Sequence, residues 1–331
     1  MKRSAYLLII PLLLSSCAGS RLNYDKGIIP PVPVNFSAVN STLDDYNSNL
    51  HISWTEMTFS LIFSTNRNSN GDNFDFIGYT GHIYFDLVKG EFDMNANVWE
   101  SGLLDAVNTD NNELGPYFTN DYPYFHYWTK QAEDRRFIYS SDPEGNMDIF
   151  CCRYEFADEG FVPSGDPFAL SLLNTEYDEG YLSLHKGASQ NRETAYFMSN
   201  RDGSFDIYSA TGEEGKLITE SGAVTVTRSS VLSSSANDKC PYISGNVMVF
   251  TSDREGGFGG FDLWYSVFNG QEWSAPVNMG DLVNTEYDEY RPVLVPGGDW
   301  YINDLLVFSS NRPGGKGGFD LYYAGVPKRT K

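Results

Sequence analysis

One phrase, a glycine-rich turn followed by Asp and two apolar residues, recurs five times along this chain. It reads FSTNRNSNGDNFDF over Phe63–Phe76, YSSDPEGNMDIF over Tyr139–Phe150 and FMSNRDGSFDIY over Phe197–Tyr208. The last two copies are FTSDREGGFGGFDLW over Phe250–Trp264 and FSSNRPGGKGGFDLY over Phe308–Tyr322. Aligned on Asp75, Asp148, Asp206, Asp262 and Asp320, the copies lie 73, 58, 56 and 58 residues apart. Self-similarity at a near-constant interval marks a repeat architecture, in which each unit buries its apolar face against the next. A second, acidic phrase precedes the turn: LNTEYDEG over Leu173–Gly180 and VNTEYDEY over Val283–Tyr290, with weaker counterparts SANDKCP, TNDYP and LDDYN at Ser235, Thr119 and Leu43. Between these phrases run short β-branched and aromatic segments, and no long amphipathic helical stretch interrupts them. Four short strands per unit is the arithmetic of a β-propeller blade.

The fold predicted is all-β, a single propeller over 33–331 preceded by a leader (1–16) and a linker (17–32). Residues 43–331 divided among five turns give about 58 residues per blade. Five four-stranded blades are expected; a sixth, degenerate blade within 77–120 is the alternative, because the first interval is longer. PVNF at Pro33–Phe36 precedes LDDYN much as PVNM at Pro276–Met279 precedes NTEYDE. The last unit ends at its third strand, so the N-terminal segment should supply the fourth, closing the ring and removing open sheet edges.

EWSAPVNMGDLVNTEYDEYRP (Glu272–Pro292) and VFSSNRPGGKGGFDLYY (Val307–Tyr323) resemble the repeats of TolB-like, WD-repeat-like propellers of the Bacteroidetes envelope type. The resemblance implies a propeller lipoprotein that holds a protein partner in the envelope. Many such proteins carry an OmpA-like domain, which this chain does not show after its last repeat.

The first residues fit that setting. Lys2 and Arg3 precede an apolar run, Ala5–Leu14, too short to span a bilayer, and LSSC follows at Leu14–Cys17. This resembles a lipoprotein signal, with Cys17 lipidated; attachment would be by acyl chains, not by a spanning helix. Cleavage would leave 21 basic and 44 acidic side chains, a formal charge of 21 − 44 = −23. Such a surface repels nucleic acid and anionic lipid heads. The expected location is the outer membrane, on its periplasmic side.

Two sets of residues stand out. Arg67 and Asp75, Arg201 and Asp206, Arg254 and Asp262, and Arg312 and Asp320 flank the glycine-rich turns, and each pair is expected to lock its own hairpin. Gly256, Gly257, Gly259 and Gly260 are expected to provide positive-φ conformations. Asp148 lacks the arginine, with Pro143 near its place. The other set, Asp45, Asp121, Asp178, Asp238 and Asp288 with Glu179 and Glu289, is expected at the channel mouth, either as a binding ring or as caps of their own turns. Cys151, Cys152 and Cys240 read as buried thiols, with a disulfide to Cys240 as the alternative.

No GxSxG, HExxH or P-loop occurs, and neither the histidines nor the turns present a metal-ligand pattern. No catalytic residue, cofactor or metal is assigned. Two functions compete: an envelope scaffold that recognises a protein through the channel mouth, and a glycan-active or glycan-binding propeller. Tyr122, Tyr124, His126, Tyr127 and Trp128 are a sugar-platform candidate for the second. Carboxylates about 5–9 Å apart among aromatics at the mouth would favour the glycan class. An even ring of capped aspartates would favour the scaffold.

Overall fold

In the computed structural model the described residues are 26–69, 71–86, 91–99, 102–119, 135–157, 160–186, 192–213, 216–217 and 224–329. They form five antiparallel sheets whose inner strands neighbour one another in a ring, a five-bladed propeller. Blade one comprises Asp45–Ser53, Thr58–Thr65, Asp75–Asp86 and Glu91–Trp99. Blade two has Glu113–Phe118, Arg136–Ser141 and Asp148–Ala157, with Gly160–Pro163 and Phe168–Ala169 sharing its outer edge. Blade three is Glu179–Lys186, Arg192–Ser199, Asp206–Glu213 and Thr225–Arg228. Blade four is Asp238–Ser244, Val247–Ser252, Asp262–Val267 and Val277–Asn278. In blade five, Glu289–Val295, Asn303–Ser310 and Asp320–Pro327 are completed by the N-terminal Val34–Asn35, whose residues pair with Tyr323 and Tyr322. The ring closes as the sequence predicts.

Among the described residues of 77–120 there is no sixth blade. The long outer hairpin of blade one and a short helix, Gly102–Val107, take up the extra residues of the first interval. The chain also docks earlier than the expected linker boundary. Gly27 bridges Tyr301, and Ile29 is buried in the cluster between blades one and five.

Second strands such as Val247–Ser252 and Asn303–Ser310 are buried along their whole length, because neighbouring blades cover both faces. Their central stretches, Val247–Phe250 and Leu305–Phe308, therefore read as continuous apolar runs, whereas the outer strand Thr225–Arg228 alternates. One aromatic recurs near the end of each second strand: Phe63, Tyr139, Phe197, Phe250 and Phe308, all buried. Each contributes on the order of 1.5–3 kcal/mol of apolar burial.

Cys151, Cys152 and Cys240 are free, buried thiols; no disulfide forms among them. Burial pushes the Cys152 and Cys240 thiols up to about 12.

Candidate functional site

The acidic phrases and the glycine-rich hairpins meet at one end of the channel, as strand direction requires. Each inner strand starts with a fully buried carboxylate: Asp45, Glu113, Glu179, Asp238 or Glu289. The backbone N–H four residues earlier donates to it, from Ser41, Thr109, Thr175, Ser234 and Thr285. A hydroxyl at the end of the paired second strand donates as well, from Thr65, Ser141, Ser199, Ser252 and Ser310.

In four blades an arginine completes the set: Arg67 with Asp45 at 2.5 Å, Arg201 with Glu179 at 3.0 Å, Arg312 with Glu289 at 2.8 Å, and Arg254 with Asp238. Each guanidinium also donates to a carbonyl of the preceding loop, at Val39, Leu173, Leu232 or Val283. Its planar face lies over the second-strand aromatic, Phe63, Phe197, Phe250 or Phe308.

The predicted pairing of Arg67, Arg201, Arg254 and Arg312 with Asp75, Asp206, Asp262 and Asp320 is therefore corrected. The arginine follows the second strand, which lies between inner and third strands, and turns inward rather than along its own hairpin. The third-strand aspartates serve other partners. Asp262 accepts from the amides of Phe258 and Gly259 and from Asn278; Asp320 accepts from Lys316, Gly317 and Asn35. Asp206 holds Arg228 through both oxygens at 2.7 Å. Asp148 accepts from Asn146, and burial raises the carboxyls of both Asp75 and Asp148. The repeated PVN is thus the fourth strand's clasp on the third.

Of the four glycines in GGFGG, only Gly256 has a left-handed backbone, with φ +93°. Gly259 is needed for a close approach instead, since a β-carbon there would overlap carbonyl oxygens of Thr285 and Tyr287.

The residue just before each buried carboxylate joins neighbouring blades. Asp44, Asn112, Asp178, Asn237 and Asp288 accept through a side-chain oxygen from the backbone N–H of Phe319, Phe74, Met147, Phe205 and Phe261 in the preceding blade, at 2.8–3.3 Å. The same side chains pair with Asn66, Asp142, Asn200, Asp253 and Asn311. Wherever one member is Asp the other is Asn, so every pair joins a carboxylate to an amide. The expected ring had mixed two positions: Asp178 and Asp288 belong to this outer set, while Asp45, Asp238, Glu179 and Glu289 belong to the buried inner one. Its second-blade member is Glu113 in NNELG, which the sequence reading passed over for TNDYP. Asp121 lies outside the described residues, as do Tyr122, Tyr124, His126, Tyr127, Trp128 and Cys17.

Two residues further along, every inner strand bulges, and Asn47, Gly115, Tyr181, Cys240 and Arg291 take left-handed φ values of 47–60°. These five residues converge on the axis. Arg291 is fully buried, donating to the Pro241 and Pro116 carbonyls and lying over the Tyr181 and Tyr242 rings. Gly115 makes room for the Tyr181 ring, which a β-carbon would strike. The axis below the mouth is filled by side chains.

Above this plug runs a ring that sequence reasoning missed. It alternates the second residue of each inner strand (Tyr46, Leu114, Gly180, Lys239, Tyr290) with the residue that starts each third strand's turn (Phe74, Met147, Phe205, Phe261, Phe319). Tyr46 meets Phe74 at 4.8 Å and stacks on Phe319 at 5.7 Å between centroids. Tyr290 meets Phe261 at 5.5 Å and Phe319 at 6.5 Å. The Lys239 ammonium lies 4.3 Å from the Phe205 centroid and 5.0 Å from that of Phe261. Leu114 and Met147 join the same apolar cluster. The signal was present, since an aromatic or Met stands before each aligned Asp.

Blade two departs from the plan at Glu113. Pro143 stands where the other blades have arginine, and the described partners of Glu113 are Thr109 and Ser141 alone. Burial, only partly offset by those hydrogen bonds, pushes its carboxyl up to about 7.

No known protein-family model matches the sequence, and a comparison with curated proteins also gives no match. Solved structures do match. An α-L-arabinofuranosidase from Podospora anserina superimposes with a TM-score of 0.50 at 10% identity, over 92% of this chain and 97% of its own. The catalytic domain of a GH62 α-L-arabinofuranosidase from Coprinopsis cinerea gives 0.50 at 11% identity, over 91% and 96%. A thermostable family-43 glycoside hydrolase gives 0.52 at 10% identity, over 87% and 94%. At such identities the likeness is one of fold. It bears out the five-bladed propeller but not the TolB-like or WD-repeat kinship, because the neighbours are glycoside hydrolase propellers. The reading that rested on that kinship, an envelope scaffold recognising a protein, is overturned.

Proposed function

We propose that this chain is a carbohydrate-recognising propeller whose sugar site is the aromatic ring at the channel mouth. The observation that carries the reading is that ring: half-buried Tyr46, Phe74, Phe205, Phe261, Tyr290 and Phe319 circle a filled axis. Sugar rings present apolar C–H faces that pack on aromatic side chains, while their hydroxyls stay in water. Exposed Tyr177, Phe258 and Tyr287 extend the aromatic surface on the same rim. The fold, shared with glycoside hydrolase propellers, supports a glycan as the ligand class.

Recognition is favoured over hydrolysis. Glycosidic cleavage uses two carboxyl groups that reach the scissile bond. The inner ring of carboxylates is fully buried, with four of its five members held by arginine, and the outer ring is engaged by amides. Burial raises the Glu113 carboxyl to about 7, but the group is equally inaccessible.

The reading is tested by titrating the mature chain with xylotriose, cellotriose and arabinan oligomers by calorimetry, while sampling each mixture for released sugar. Binding that drops about tenfold in Tyr46→Ala and Tyr290→Ala, each a loss of about 1.4 kcal/mol, is the expected result. Release of reducing ends would assign an enzyme instead. Absence of binding across these and acidic glycans would end the carbohydrate reading.

A further inference from the structure

We infer that the mouth selects sugars bearing a carboxylate, hexuronate units above all, and that Lys239 recognises that charge; this rests on the sugar-binding reading above. Among the five inner-strand positions of the ring, four hold uncharged residues and one holds Lys239. Its ammonium faces the rings of Phe205 and Phe261, and it forms no ion pair among the described residues. The chain has 44 acidic side chains to 23 basic ones, so a lysine kept apart from carboxylates has to be isolated by its surroundings.

The surroundings do this. The adjacent Asp238 is buried and taken by Arg254, Ser252 and Ser234. Asp253 is held by both the backbone and the side-chain amide of Asn237, and Asp288 by Asn311 and the Phe261 N–H. Each nearby carboxylate therefore has its own partner, and the ammonium rests on two ring faces. A cation over a ring is held by the ring's quadrupole alone, whereas a charge-assisted hydrogen bond to a carboxylate is stronger and directional. An incoming carboxylate therefore draws the ammonium off Phe205 while the sugar ring settles over Tyr46, Phe319 and Tyr290.

A hexuronate fits both halves of this site, with an apolar pyranose face for the aromatics and one carboxylate for the lysine. A neutral sugar uses only the first half. In a molecule with an excess of acidic side chains, one cation among the members of the ring also admits a single negative charge more readily than a dense polyanion such as nucleic acid.

The probes are trigalacturonate and a β-linked triglucuronate, each compared with its fully methyl-esterified form, which keeps the sugar skeleton and loses the charge. Titrated into the mature chain, at least one free acid should bind tenfold or more tighter than its ester. Lys239→Met, which keeps an apolar stem between the two phenylalanines, should bring the acid down to the affinity of its ester and leave the ester unchanged. Equal affinities for acid and ester, or a preference that survives Lys239→Met, would overturn the inference and leave the sugar site standing. If neutral oligosaccharides bind and neither acid does, the inference fails alone. If no sugar binds at all, both readings fall.

Discussion

In blade four the carboxylate that starts the inner strand, Asp238, is closed in by Arg254, whose other face lies over Phe250 and Trp264. In blade two the equivalent Glu113 keeps the loop amide and the strand hydroxyl but has no arginine, although Tyr139 stacks on Phe150 as Phe197 does on Tyr208 and Phe308 on Tyr322. The comparison separates two contributions that the other blades combine. Hydrogen bonds alone suffice to hold the opening of an inner strand in place, because blade two forms the same sheet in the same register. They do not suffice to keep the carboxylate charged. Blade five shows how close the balance is: Glu289 has Arg312 beside it, yet burial still moves its carboxyl upward. Without the guanidinium, desolvation carries Glu113 to about 7.

The sharpest way to break the contrast is to remove the cation from blade four. Arg254→Met leaves Asp238 buried and uncompensated, and unfolding calorimetry should show a loss of about 3–5 kcal/mol. A cost below 1 kcal/mol would mean that the hydrogen bonds carry the blade and the arginine is incidental. Next in size is the pH response of blade two. With a folded pKa above its unfolded value, Glu113 contributes stability that is fully present below pH 4.5 and is lost as pH rises through about 7. A displacement of this size corresponds to about 3 kcal/mol. Glu113→Gln should flatten the stability profile across that window and make the protein more stable at pH 8. Pro143→Arg should also raise stability at pH 8, by supplying the missing partner. An unchanged slope in both variants would place the pH dependence elsewhere. The smallest effect concerns the amide–carboxylate pairs. Asp142→Asn sets two amides against each other at Asn112 and should cost about 1–2 kcal/mol. Adding Asn112→Asp should restore most of it, as in blades one, three and five, and a purely additive double variant would contradict the pairing.

The fold was fully legible because the spacing of Asp75, Asp148, Asp206, Asp262 and Asp320 reports one unit of structure per interval. The fourth strand was legible for the same reason, since PVN marks Asn35 and Asn278, which clasp Asp320 and Asp262. The site was only partly legible, for physical reasons. Asp45 and Asp238 occupy the place that Glu113, Glu179 and Glu289 hold elsewhere, one methylene longer. Ser at the fourth residue before the aspartates and Thr before the glutamates accompany the change. Letter-by-letter alignment therefore slides one position and matches Asp45 with Asp178. Likewise, nearness in sequence couples Arg254 to Asp262, while the sheet sets Ser252 between Asp238 and Asp262 and leaves the arginine free to turn either way. The aromatic ring escaped notice because its members come from two different strands, and only the closing of the circle brings Phe319 of the last blade against Tyr46 of the first.

The N-terminal clasp has a consequence for orientation. Gly27 bridges Tyr301, in the hairpin that joins the first two strands of blade five, and the chain then rises along Val34–Asn35 to reach Asp44 at the mouth. The docked chain therefore begins, at Lys26 and Gly27, on the side of the disc opposite the aromatic ring. The docked N-terminus and the aromatic rim thus occupy opposite faces of the disc, which leaves the rim clear of the chain's entry.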